Sequence, residues 1–179
     1  DWNFRDISKT IKKSNQATLD YFDAVVKQYQ FGKNNSLDYR RARRTAHNAQ
    51  IELSSMISSL STEPNPNQAL IHSAFRYLVY SHSQLSYVSA LGSHREQVQD
   101  AQVLDLMLGC KDTLFAVLLQ QQPLAEDKIE AKLEEIKQMS TQENLSEDLL
   151  LVLKQISLLL ETLPELLKLR TELWAQEIK

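Results

Sequence analysis

Glycine and proline are scarce in this chain, with three and four residues among 179. Strand-rich folds need frequent turns built from those two residue types, so sandwiches and barrels are excluded. Three isolated glycines also leave no phosphate-cradling loop and no dinucleotide fingerprint. Cysteine is scarcer still. The lone Cys110 rules out an internal disulfide and fits a reducing compartment. No apolar run approaches the roughly 18 residues needed to span a bilayer. The longest candidates, residues 149–153 and 156–163, are amphipathic. A secretory leader is not expected, because the chain opens on Trp2 and Phe4 among charges. It starts at Asp1 rather than Met, as a piece of a longer protein would.

What is abundant points one way. Leu, Gln, Ser, Glu and Lys dominate, and most of these favour helix. The reading is an all-α fold, an antiparallel bundle of about six helices in a single domain over residues 1–179. Residues 124–145 read as a surface helical insertion. The first helix is expected over 4–29, on a stripe of Phe4, Ile7, Ile11, Thr18, Phe22, Val25 and Tyr29. Gly32 stops it, and Ser36 caps a second helix over 37–60. Pro64 and Pro66 end that helix. A third spans 68–91, with Gly92 ending or bending it, and a fourth spans 95–122. A short fifth carries Ile129, Leu133 and Ile136 under alternating charges. The last starts near Ser146 and should kink or break at Pro164.

The net charge of −3 is unevenly spread. Residues 1–60 carry +4 and residues 121–179 carry −5. The basic end is thus directed at an acidic surface, or at the chain's own acidic end.

Enzymatic signals are weak. His47, His72, His82 and His94 show no metal-ligand spacing, so no metal or other cofactor is expected. Ser81 and His82 are adjacent and point apart on a helix, so they make no nucleophile–base pair. Cys110 falls on an apolar stripe and reads as core. An enzyme would need a polar pocket around His47, His82 or His94.

One stretch stands out. YRRARRTAHNAQ, residues 39–50, holds four arginines and a histidine within nine positions. On a helix, Ala42, Ala46, Ala49, Leu53, Met56 or Ile57, and Leu60 form a stripe whose small first half lets another helix approach. Arg40, Arg44 and His47 line one flank, Arg43 lies nearer the other and Arg41 further round. Arginine suits bidentate pairing with carboxylates or phosphates. Salt bridges to the acidic C-terminal third or to Glu63 come first among the readings, and acidic lipid headgroups second. Nucleic acid is set aside, since a pI near 5.8 is wrong for it.

The same stretch resembles the segment after the last membrane span of YccS/YhfK-type inner-membrane proteins. These belong to the fusaric-acid-resistance-like (FUSC) group, related to aromatic-acid exporters. The family pattern falls on Tyr39, Arg40, Ala42, Arg43, Arg44, Ala46, His47, Asn48, Ala49, Glu63 and Pro64. A second match is LSYVSALGSHRE, residues 85–96, with His94 and Arg95. A looser third is LKQISLLLETLPEL, residues 153–166. The resemblance implies a non-enzymatic cytosolic domain of an inner-membrane efflux transporter, on the cytoplasmic side of the bacterial inner membrane. Its partners would be the membrane-embedded part of the same polypeptide, anionic lipid headgroups and further copies of itself. Arg5, Lys9, Lys12 and Lys13 crowd the first thirteen residues, as they would just cytoplasmic of a final span. The candidate structural or interface cluster is Arg40, Arg43, Arg44, His47, Glu63, His94 and Arg95. The alternative is a free-standing adaptor that takes a partner helix beside Ala42 and Ala46 or lies on an acidic membrane surface.

Overall fold

A computed structural model describes residues 2–34, 36–95 and 98–176, with side chains from residue 6 onward. Helix makes up 82% of it, and no strand occurs among the described residues. The helices are α1 (Trp2–Phe31), α2 (Leu37–Leu60), α3 (Gln68–Ser93), α4 (Ala101–Leu118), α5 (Glu126–Ser140), α6 (Glu147–Glu161) and α7 (Leu163–Ala175). The expected six become seven because the last divides at Thr162. Pro164 supplies no N–H to continue α6, and it sits in the first turn of α7, where none is needed.

Local chemistry sets most of these boundaries. Gly32, at φ +89°, takes the left-handed conformation that lets the chain leave α1. The Ser36 hydroxyl accepts from Tyr39 N and starts α2. Asn67 caps α3 and Ser146 caps α6 in the same way. The fourth helix departs from expectation. It begins at Ala101, where the Asp100 carboxylate accepts from the amides of Gln102 and Val103, and it closes at Leu118. Residues 94 and 95 instead form a turn, and Val98 is buried within the connecting loop.

α1 and α2 form a long antiparallel hairpin, α3 lies against both, and α4, α6 and α7 complete the bundle. α5 packs on α6 through Ile129, Ile136 and Met139. The core has two parts. One gathers Ile7, Ile11, Leu53, Ile57, Tyr77, Leu166, Leu169 and Leu173. The other runs from Phe22, Val25 and Ala46 through Leu85, Met107 and Leu114 to Leu153 and Ile156.

A buried polar layer lies where the two parts meet. Asn15 sits 3.2 Å from the Tyr77 hydroxyl, and Ser14 and Ser81 donate to Gln50 Oε1 at 3.4 and 3.1 Å. The Gln84 amide donates to Leu159 O at 3.1 Å and to the Thr162 hydroxyl. Each group therefore replaces its lost water with a protein partner, which burial requires.

Candidate functional site

The stripe of Ala42, Ala46 and Ala49 faces inward. Ala46 and Ala49 are buried, and Ala42 packs on the same cluster as Ala17 and Tyr21 of α1. The groove expected there for a partner helix is therefore filled by the chain's own α1. Most of the charged residues of α2's first half face solvent: Arg40, Arg41, Arg43, Arg44 and His47 are all exposed.

The carboxylates expected beside these arginines are elsewhere. Among the described residues none lies within ion-pair distance of Arg40, Arg41, Arg43 or Arg44. The acidic C-terminal third does form ion pairs, but with other partners. Arg76 of α3 pairs with Glu165 of α7 at 2.7 Å, and His94 meets Asp148 at 3.0 Å. Asp23 of α1 holds Lys27 of the same helix and Lys111 of α4 at 2.9 and 3.1 Å. Burial alone would raise the Asp23 carboxyl, yet those two ammonium groups hold it below its ordinary value. His47 is pushed down, first by partial burial and then by Arg43 and His82. It therefore favours the neutral form, and the charge of the face comes from arginine.

Two of the quoted stretches meet in space at the other side of α2's first turn. Tyr39 is buried, edge-on to Tyr21 with ring centroids 5.9 Å apart. The Arg95 guanidinium lies over the Tyr39 ring at 4.6 Å and donates to the Gly92 carbonyl. Arg95 Nε is buried without a hydrogen-bond partner among the described residues, so the ring face is what holds the group there. Tyr29 donates to Leu91 O at 2.5 Å. A Cβ at position 92 would come 2.6 Å from the Tyr39 hydroxyl, so any larger residue would force the Tyr39 ring or the helix crossing to shift. His94 continues the cluster to α6 through Asp148.

The sequence-selected cluster is thus divided. Arg40, Arg43, Arg44 and His47 form an exposed face, while His94 and Arg95 belong to a packed junction that also takes in Tyr39 and Gly92. Glu63 is half-buried just beyond the far end of α2. Leu60, the last residue of α2, is already about 24 Å along the helix axis from Arg44, at about 1.5 Å per residue. The basic residues at the start of α1 are separate again. Lys13 pairs with Glu52 at 2.7 Å, Lys9 and Lys12 are exposed, and the Arg5 side chain is outside the described residues.

The polar pocket around His47, His82 and His94 that an enzyme would need is not formed among the described residues. His47 and His82 share a groove of about 480 Å³ between α2 and α3, but Ile51, Leu78, Val79 and Leu85 make up much of its wall. His94 is not among its lining residues. The Ser81 hydroxyl is buried on Gln50. Cys110 is buried and its thiol is raised far above the ordinary value by burial, which suppresses the thiolate. Among the described residues no three His, Cys, Asp or Glu side chains converge as metal ligands would. No helix among them is long and apolar enough to cross a membrane.

No protein-family model matches the chain, and no solved structure does. Two curated proteins do. Inner membrane protein YccS of Escherichia coli K12 is 37% identical over 177 residues, which are 97% of this chain and 24% of that protein. An uncharacterized protein of Haemophilus influenzae is 34% identical over 102 residues, 57% of this chain and 14% of its own length. The chain therefore spans only a small part of each of these relatives.

Proposed function

We propose, from the premise that the chain is a homologue of YccS-type inner membrane proteins over the segment it spans, that it is the cytosolic part of an efflux transporter. In this reading it assembles or regulates the membrane-embedded part of the same polypeptide and catalyses no reaction. The homology itself supports a membrane-associated role. The finer reading rests on one observation, the exposed arginine face of α2 with no carboxylate paired to it. Four arginines with no carboxylate partner among the described residues suit groups outside the fold. Lys9 and Lys12, exposed at the start of α1, suit the cytoplasmic edge of a preceding span.

Two measurements on the full-length protein test this. A cysteine placed at the exposed Asn48 should react with an impermeant thiol reagent in inside-out vesicles and stay protected in intact spheroplasts. The reverse labelling pattern would refute a cytosolic location. Replacing Arg40, Arg43 and Arg44 together with glutamine should leave the melting temperature of this chain unchanged and remove the transport phenotype. Retention of transport would refute the arginine face as the working surface.

A further inference from the structure

Arg40, Arg44, His47 and Ile51 follow one another along α2 at spacings of four, three and four, so they share one stripe. Arg43 stands four residues before His47, on the same side. His47 and Ile51 also line the groove between α2 and α3, which Val79 and His82 border from the other helix. Ile51 is 66% exposed and Val79 is 62% exposed, and Phe75, one turn before Val79, is exposed as well. The arginines therefore run directly into an uncovered apolar patch. Among the described residues no carboxylate lines this groove, and α3 carries none. Of the two on α2, Asp38 lines a groove with α1 and Glu52 pairs with Lys13.

A face of opposite charge lies on α5 and α6. Glu126, Glu130 and Glu134 are exposed on α5 at spacings of four, and none makes an ion pair among the described residues. Glu130 and Glu134 line a groove of about 540 Å³ with Leu150 and Glu161 of α6, and Leu150 is 39% exposed. Lys137 and Lys154 line it too, but the four carboxylates outnumber them. Within one chain these carboxylates do not reach the arginines, since no ion pair joins α2 to α5 among the described residues.

Two copies that presented the same arginine face to each other would repel. We infer that the arginine and apolar face of α2 and α3 docks head to tail on the α5–α6 face of a second copy. Ile51 and Val79 meet Leu150, and Arg40, Arg43 and Arg44 pair with Glu126, Glu130 and Glu134. The step from Arg40 to Arg44 equals that between successive glutamates, about 6 Å on either helix at about 1.5 Å per residue. Because the two faces differ, the contact closes a ring or runs on as a chain of copies. This rests on the reading that the arginine face works on a group outside its own fold, and it names that group.

Sedimentation velocity on the 179-residue chain should show association that grows with concentration and weakens with salt. Replacing Arg40, Arg43 and Arg44 with glutamate, or Glu126, Glu130 and Glu134 with lysine, sets like charges face to face. Either change should weaken association at least about a hundredfold. All six side chains are exposed, so both variants should keep the helical circular dichroism of the parent. Mixed in equal amounts, the two variants should associate again, because each then meets opposite charge. A parent that stays monomeric, a mixture that stays dissociated, or a lysine variant that associates like the parent overturns the inference. Salt-sensitive binding of a monomeric parent to phosphatidylglycerol vesicles, lost in the arginine variant, assigns the face to lipid and overturns it too. Loss of transport in the full-length arginine variant, with a monomeric parent chain, overturns the contact between copies and leaves the reading above standing.

Discussion

Arg95 and Arg44 come from the two quoted stretches with the most specific resemblance, and the fold treats them in opposite ways. Arg95 is drawn inward, laid on the Tyr39 ring and bonded to the Gly92 carbonyl. Arg44 stands in solvent, with no ion-pair partner among the described residues. The difference comes from neighbours rather than from the residue. An aromatic face and an orphan carbonyl at the end of α3 give a guanidinium a dry place to bind, whereas the first turns of α2 offer only water on their outer side. The junction is therefore a stability element. The arginine face makes no ion pair among the described residues and is open to solvent.

The largest expected effect breaks the junction. Gly92→Ala forces a methyl to 2.6 Å from a hydroxyl whose ring is pinned between Tyr21 and Arg95. Overpacking of this kind costs about 1–3 kcal/mol, read by urea denaturation. An unchanged midpoint would mean that the α3–α2 crossing yields freely. Arg95→Met comes next, at about 1–2 kcal/mol for the lost ring contact and carbonyl bond. A loss no larger than that of an exposed arginine would remove the contrast.

Arg43→Met and Arg44→Met are the opposing pair, each expected within about 0.5 kcal/mol of the parent. A drop of several degrees in either would reveal a structural partner and return the face to the fold.

The smallest effect concerns pH. His47 is held below its ordinary value in the folded chain, so the unfolded chain binds the proton more readily. The stability associated with neutral His47 is present above the unfolded value, near 6.5, and is lost as pH falls through the lower folded one. His47→Gln should flatten the melting temperature between about pH 7 and 5, modestly because the ring is largely solvated. A steeper slope in the variant would contradict the sign.

Much of the fold was legible because helices announce their ends. Ser36 and the prolines after Leu60 fixed α2 to the residue, and Ile7, Ile11, Phe22 and Val25 of the α1 stripe are buried as read. The start of α4 was misplaced because Val98 continues the apolar spacing into what is a loop. The available signal was Asp100, a cap residue directly before the true first turn. The arginines were harder. Periodicity says which side of α2 they occupy but not what stands opposite. Their expected partners in the C-terminal third were taken by Arg76 and His94, which had not been singled out as ion-pair donors. The stacking of Arg95 on Tyr39 spans most of the distance between two helices in sequence, and nothing local encodes it. The buried amides of Gln50 and Gln84 were missed as well, since a polar residue inside an apolar stripe reads as an interruption.

That polar layer has a mechanical consequence. Asn15, Gln50, Tyr77, Ser81, Gln84 and Thr162 tie α1, α2, α3 and the α6–α7 joint together at one level of the bundle. A purely greasy interface lets helices ratchet past one another, because one methyl replaces another. Here a slip of one turn, about 5.4 Å, would strand several amides and hydroxyls in the dry interior at about 1–3 kcal/mol each. The bundle is keyed like a splined shaft. A push on the start of α1 is delivered to the α1–α2 turn as displacement of the whole block, with almost none of it absorbed as sliding between helices.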